Sequence, residues 1–548
     1  MTQAVSELTD SGAGRPSPQA YRLFYGCFAA MFATSFAFIV RALVITDWGN
    51  AFNLTEAQKG AIFPGAALFP FAISIVLFSL FIDRIGYGRI MVLAFIGHVV
   101  GTVMTISAIT IQDASHHLAA YQLLYFGTFI TSLANGAIEA VVNPVTATLF
   151  PRNKTHYFNI LHAGWPGGLV LAGILGIIFG AAHLSWAWII ALVFIPTIIY
   201  GVMLFGQRFP LQERVAAGVS YADMMREFGA AGAFIIAWFL TMAFLTVASV
   251  FLSDATTASH GWIQLNNWLP PAVALLVAIV FFAAYRAIGR PMFIFLLGIM
   301  ILQATTELGT NGWITDLLTP VFKAYAGWIL VYTSIIMFVF RFFAGPIVHK
   351  LNPLGLLCTC SAIVTVGLIW LGTAGTNPVM IFLAATVFGV GTAFFWPTTL
   401  GVVAEQFPKG GALTLSAMGG MGMIAVGVLG STVLGTVMDK RIDHALAQDM
   451  PAIHDVIAGP AQDNYFMHYQ TLDQEKLKSL PADEQAKVNA LRGEVKQHTL
   501  GLVAVLPIVM FICYVGLVLY FVAKGGYKAH HLEISGEMAS GGVEGPVR

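Results

Sequence analysis

What most constrains this chain is the recurrence of apolar stretches long enough to cross a lipid bilayer. A helix needs about 20 apolar residues to traverse the hydrocarbon core. Within that core only helices and closed barrels satisfy their own backbone hydrogen bonds. Stretches of that length lie near 21–46, 60–82, 89–111, 118–150, 157–182, 185–206, 231–253, 267–287, 292–318, 325–345, 354–373, 379–401, 411–438 and 499–523. They predict an all-α integral membrane protein of about fourteen transmembrane helices. Composition agrees: 57% of the 548 residues are hydrophobic and 10% are charged, where soluble domains carry about 25% charged residues.

Lys and Arg collect in short cytoplasmic loops, and their distribution tests the count. With the N-terminus inside, the inner loops and C-terminal flank hold Arg84, Arg89, Arg152, Lys154, Arg208, Arg214, Arg226, Arg286, Arg290, Lys350, Lys409, Lys524 and Lys528, whereas the short outer loops hold Lys59 and Lys323. Both termini are therefore expected in the cytoplasm, in a multi-pass protein of the cell (inner) membrane. The polar segment 439–498 is expected outside, as a solvated insertion more than a lid or docking element, with ADEQAKVNALRGEVKQH helical. The first residues, MTQAVSELTDSGAGRPSP, lack the basic and apolar regions of a signal peptide and read as a disordered tail. Basic and acidic residues balance at 27 each, so nothing draws the chain to nucleic acid. Cys27, Cys358, Cys360 and Cys513 sit in apolar stretches and read as small buried hydrophobes.

Polar residues inside the spans are the functional candidates. An ionisable side chain at membrane depth costs at least about 2.5–3.5 kcal/mol and persists where it faces a bundle interior or a watery cavity. NGAIEAVVNP in span four carries Asn135, Glu139 and Asn143. Helical spacing puts Ser132, Asn135, Gly136, Glu139 and Asn143 on one stripe, and Pro144 bends the helix. Glu139 reads as a cavity group, the alternatives being a partner for Arg41 or a protonated packing group. Span nine holds Gln303, Glu307, Thr310 and Asn311; Glu307 reads equally as a substrate or ion site and as a structural hydrogen bond. Span five opens with Asn159 and His162, the latter a proton relay or, no less, a packing group bonded to Glu139. Arg41 lies six residues before Asp47, deep enough to grip an anion. Arg341 in FVFRFFAGP is expected to snorkel toward headgroups. Phe395 and Trp396 beside Pro397 could stack on a sugar face or equally pack in the core. No HExxH motif or Cys/His cluster predicts a metal or cofactor, and no nucleophile–base pair predicts an enzyme.

The loop SLFIDRIGYGRI, residues 79–90, carries Asp83, Arg84 and Gly86. These resemble the D-R-x-G core of the signature that major facilitator superfamily transporters carry between their second and third spans. Ser79 stands where the first glycine is usual, and Arg89 arrives one position late. GPIVHKLNPLG at 345–355 echoes that loop, and GVGTAFFWPTTLGVVAEQFP at 389–408 echoes span four; glycine precedes proline by eight positions at Gly136–Pro144 and at Gly389–Pro397.

The resemblance implies the major facilitator fold, two six-helix halves holding substrate near the midplane. The expected parts are a cytoplasmic tail 1–20, an N-terminal half 21–206, a linker 207–230, an inserted helix hairpin 231–290, a C-terminal half 291–523 including loop 439–498, and a tail 524–548. Asp83, Arg84 and Gly86 would then serve conformational switching. Members of the superfamily often break the helix of span nine at its outer end, which Gly309 and Gly312 would permit.

Residues 135–168 further resemble the fucose, galactose and glucose proton symporters, whose glutamate before an Asn-Pro pair and later asparagine match Glu139, Asn143, Pro144 and Asn159. That resemblance implies a protonatable or sugar-binding Glu139. The first span departs from it: Arg41 and Ala42 stand where the family has an acidic residue, and an arginine there resembles the organophosphate and sugar-acid branches. The expected function is proton-coupled transport of a small polar solute, a sugar or sugar derivative, by a monomer. The alternatives are a sugar acid or other organic anion held by Arg41, and a non-transporting receptor.

Overall fold

A computed structural model describes residues 17–532 except 53, 55–57, 60–61, 63–65, 112–116, 253–259, 312–313, 315–326, 376 and 464–467. Gly312, Lys323, most of the N-terminal tail and the end of the C-terminal tail lie outside the described residues. Twelve helices among them are long and apolar enough, by length and composition, to cross a membrane. They supply α1 (Pro18–Phe52), α2 (Ala66–Ile85), α3 (Tyr87–Thr110), α5 (Lys154–Ala181), α6 (Trp186–Leu204), α7 (Tyr221–Leu252), α8 (His260–Tyr285), α9 (Pro291–Gly309), α11 (Ala344–Thr373), α12 (Pro378–Gln406), α13 (Pro408–Gly430) and α14 (Val505–Ala523). Two more complete the set. α4 (His117–Leu149) has 33 residues, its polar stripe diluting its hydropathy, and α10 (Gly327–Phe342) is shorter, with 16. Each apolar stretch of the sequence thus has its helix.

Small residues set the packing. α3 lies so close to α4 that a methyl on Gly101 would collide with the Gly127 carbonyl and the Thr131 hydroxyl; without a hydrophobic drive between helices in lipid, such close backbone approach supplies the cohesion. α1 packs on α5 and α6, and α4 fills the space between α2 and α3. Contacts of α5 with α10 and α12, and of α2 and α4 with α13, join the first six helices to the last six. α7 and α8 pack on one another; their bases are pinned by Ala230 N–H to Ala287 C=O and Ala231 N–H to Ile288 C=O, both 3.0 Å. Arg290 Nη2 to Glu227 Oε1 at 2.8 Å locks the same corner.

The segment after α13 is folded. It runs through helix Leu434–Asp449, helix Pro451–Ile457, an antiparallel hairpin of Ala458–Asp463 with His468–Leu472, and helix Gln474–Ser479. The expected soluble helix is present as Ala482–Val503 and leads into α14. The start of α1 and the end of α14 lie at one end of the bundle. Tyr21, near the start of α1, shares a 3.0 Å hydrogen bond with Tyr157 of α5, and Tyr527, just past α14, donates to Glu405 Oε2 at 2.8 Å. Glu405 Oε1 in turn accepts from Thr155, two residues before Tyr157. Both ends on one face is what an even number of crossings requires.

A buried charge relay between the two helix groups

Prolines organise the centre. Pro166 and Pro397 have no N–H, so the carbonyls four residues earlier, on His162 and Ala393, lose their helical partner. Both turn to one residue. Arg341 of α10 donates from Nε to the Ala393 carbonyl at 2.7 Å, from Nη1 to the His162 carbonyl, and from Nη2 to Glu307 Oε1 at 3.2 Å. Its side chain is 2% exposed. The expectation that Arg341 snorkels is overturned: two freed carbonyls and a carboxylate satisfy the guanidinium inside the bundle, so it has no need of headgroups.

From the ring of the same His162 a second set of hydrogen bonds runs into α4. His162 Nε2 meets Asn143 Oδ1 at 2.9 Å, and Asn143 Nδ2 donates to Glu139 Oε2 at 2.7 Å and to the Glu139 carbonyl at 3.0 Å. An amide oxygen only accepts, so His162 carries its proton on Nε2 in this arrangement. Glu139 and His162 are separated by Asn143 rather than bonded directly. Asn159, one turn before His162, donates to Thr398 Oγ1 of α12 at 3.2 Å, a second link between the two groups. Glu139, Asn143, His162, Asn159 and Glu307 are all buried.

Glu307 sits where α9 widens into a π turn, Thr305–Gly309, which packs against a second π turn, Val426–Val433. Gly309 lies against Gly430. Such widened turns in a helix recur at functional positions. Around them, the buried Glu307 Oε2, Thr310 Oγ1, Asn311 Oδ1 and Asn159 Oδ1 have no hydrogen-bond partner among the described residues. Buried polar atoms of this kind normally find one, so the region offers acceptors and a hydroxyl to a solute or water.

The remaining candidates lie elsewhere. Arg41 donates to Thr128 Oγ1 at 3.1 Å, to Thr131 Oγ1 at 2.8 Å and to the Ala37 carbonyl, and has no carboxylate partner among the described residues. Asn135 turns from the Glu139 chain to His98, Oδ1 to Nε2 at 2.8 Å, while His98 Nδ1 meets the Tyr200 hydroxyl at 3.1 Å. Ser132 donates to the Ala67 carbonyl of α2. The stripe on α4 therefore divides: its outer part packs and its inner part joins the relay. Gln303 Oε1 accepts from Thr399 at 2.8 Å and Tyr514 at 2.9 Å, knitting α9 to α12 and α14. Trp396 is buried and packs toward Gly422 and Met300. Among the described residues no group of His, Cys, Asp and Glu could hold a metal ion, and all four cysteines are free.

At the end where α1 starts and α14 finishes, polar contacts close the bundle. Asp83 of α2 pairs with Arg214, and Gln212, in the amide orientation that satisfies both neighbours, donates to Asp83 at 2.8 Å. Lys154 at the start of α5 pairs with Glu213 at 2.7 Å and donates to the Ala404 carbonyl of α12 at 3.2 Å. Gly86 takes φ 90, which a side chain rarely adopts, and so frees α3 to start immediately after α2. Asp83 and Gly86 thus sit at this closure; no hydrogen bond or ion pair of Arg84's side chain was found among the described residues.

A helical bundle of this kind, with paired charge held in its middle between two packed groups of helices, has the architecture of a membrane transporter. The Major Facilitator Superfamily model matches residues 24–306, more than half of the chain, and the chain belongs to that superfamily. No curated protein matches it. Among solved structures, it is similar to the proton:xylose symporter XylE bound to 6-bromo-6-deoxy-D-glucose, with a TM-score of 0.56 and 13% identity over 78% of this chain and 90% of that one. It is also similar to the E. coli fucose:proton symporter FucP, with a TM-score of 0.55 and 12% identity over 91% and 99%. The human organic anion transporter MFSD10 (TETRAN) gives 0.54 and 12% over 91% and 100%. At such identities the likeness is one of fold.

Proposed function

We propose that the protein carries a small polar solute of the sugar class across the membrane together with a proton, by alternating access between α1–α6 and α9–α14, with the inserted hairpin 231–290 between these halves. The observation that carries this reading is the buried polar arrangement around His162, whose ring meets Asn143 and through it Glu139, and whose backbone carbonyl accepts from Arg341, the partner of Glu307, so that a carboxylate of each half lies on either side of it. A carboxyl's charge depends on whether its site is wet and which cation is near, and alternating access changes both. Glu139 is the coupling group, and the unpartnered acceptors near Glu307 and Asn159 meet the solute's hydroxyls. XylE and FucP, which share the fold, are both proton symporters of sugars, and this supports the class. The end where α1 starts and α14 finishes faces the cytoplasm, where the short-loop basic residues then lie.

Glu139→Gln imitates the permanently protonated carboxyl. The variant is expected to exchange labelled sugar across proteoliposomes in both directions yet fail to concentrate it under an imposed proton gradient. Accumulation equal to the parent's would remove Glu139 from coupling. A second reading, an organic anion as solute, is favoured by one observation: Arg41 is buried without a carboxylate. A solute panel containing both hexoses and hexuronates in the same vesicles distinguishes the two readings, since only the anion's uptake would fall with Arg41→Gln.

A further inference from the structure

A basic cleft of about 700 Å³ opens at the end of the bundle that carries the C-terminal strap. Its cations converge from separate elements: Arg290 precedes α9, Lys409 lies in the first turn of α13, Lys524 ends α14, and Lys528, His530 and His531 stand on the strap that follows. Glu227 is the one carboxylate in the lining among the described residues, and Arg290 already occupies it with bonds at 2.8 and 3.0 Å. Lys524 rests over the Tyr520 ring at 4.6 Å, with its ammonium otherwise exposed. Four permanent cations against one spent carboxylate leave the cleft strongly positive before either imidazole is counted.

The strap that forms one wall is fixed in place. Gln406 Nε2 donates to the Lys528 carbonyl at 2.8 Å, His530 N–H to the Glu405 carbonyl at 2.8 Å, and Tyr527 to the Glu405 carboxylate at 2.8 Å. Cations at the inner boundary of a membrane protein are ordinary; here six basic residues, all of them solvent-exposed, gather around one open cleft beside a tethered strap. An apolar groove adjoins the cleft. Pro291 lines both it and an open groove of about 530 Å³ on the outer surface of α9, lined by Ile288, Ile294, Phe295, Gly298, Leu302 and Cys513. Ile288 is 69% exposed and Phe295 44%, and a methyl placed on Gly298 would meet nothing within 4 Å. A positive cleft at headgroup level joined to a lipid-facing apolar channel has the two chemistries of one amphiphile.

We propose that cleft and groove together bind one anionic phospholipid, its phosphate among Arg290, Lys409, Lys524 and Lys528 and an acyl chain along Gly298 and Phe295. Occupancy would brace the strap against Glu405, which also receives Thr155 from the other helix group, so the lipid would steady this end in its closed form. The assignment does not depend on which solute is carried.

The test uses delipidated full-length protein in detergent and native mass spectrometry with three probes: dioleoylphosphatidylglycerol, dioleoylphosphatidylcholine and glycerol 3-phosphate. One equivalent of phosphatidylglycerol should be retained in preference to phosphatidylcholine. Lys524→Gln with Lys528→Gln should weaken that retention by about thirtyfold, as expected for two lysines near an anionic headgroup, and leave phosphatidylcholine unchanged. Gly298→Phe, which fills the groove from open space, should weaken phosphatidylglycerol retention with all the cations present, and it decides the matter if the lysine pair does not yield monodisperse protein. Equal retention of the two lipids, or phosphatidylglycerol retention undiminished in either monodisperse variant, overturns the proposal. Glycerol 3-phosphate binding as tightly as the lipid would also overturn it, by making the cleft a site for a soluble anion.

Discussion

Arg341 shows how far single residues could be read. Its arginine was visible in FVFRFFAGP, but its position near the end of a span pointed to headgroups. The deciding signals lay in other helices: Pro166 and Pro397 each free a carbonyl, and Glu307 supplies the charge. A proline's consequence four residues upstream is legible in sequence, whereas the convergence of three helices on one guanidinium is not. Glu139, Asn143, His162 and Glu307 were legible because polar groups in lipid-length segments carry a cost that demands a reason. His98, paired with Asn135, was equally visible but drew no attention as a lone histidine in an apolar run. The buried pair makes a prediction. Arg341→Gln leaves Glu307 uncompensated and should cost about 3–5 kcal/mol of stability, read as a lowered unfolding temperature in detergent. Adding Glu307→Gln should recover part of that loss. Single and double variants of equal stability would show that the two charges do not depend on one another.

At the scale of elements, the spans were legible almost completely, because bilayer thickness fixes their length. The turns were legible where chemistry repeats. Gly86 caps α3 at φ 90, and the corresponding break in the echoed loop falls at Asn352, φ 52, inside α11. There Asn352 Oδ1 accepts from Gly355 N–H at 2.9 Å and Pro353 follows as the first residue of the new segment. Asparagine at a cap and proline just after it are a normal helix start. The two loops solve one problem differently: the first with a residue lacking a side chain, the second with a side chain that makes a bond. Gly86→Ala should therefore destabilise by about 1–3 kcal/mol, while Asn352→Gly, which exchanges a cap bond for relieved strain, should stay within about 1 kcal/mol of the parent. Thermal unfolding of the two variants side by side checks the asymmetry, and equal losses would contradict it. The folded part of 439–498 was legible only as a helix over its second half. Its hairpin of Ala458–Asp463 with His468–Leu472 lacks the alternating apolar pattern that marks a strand in sequence.

For the whole molecule, the closed end is the property no local reading could supply. D-R-x-G marked the loop between α2 and α3, but Arg214, Lys154, Glu405 and Tyr527 come from distant parts of the chain and meet only after folding. Thr155 and Glu405 touch directly across the two helix groups, so the proposed alternating access requires them to separate in each cycle. A short bismaleimide joining Thr155→Cys to Glu405→Cys, on a background with Cys358 and Cys513 changed to alanine, should arrest transport. The unlinked double variant should still exchange solute. In sealed vesicles of known sidedness, a membrane-impermeant form of the linker should act only from the cytoplasmic face, which tests the orientation as well as the gate. Full transport after complete cross-linking would mean that the two groups move without parting here, and the closure at Asp83, Lys154 and Glu405 would then be scaffold. Reaction from the opposite face would instead invert the membrane orientation inferred from the basic loops while leaving the gate in place. The two results are separable because one is read from transport rate and the other from the side of entry.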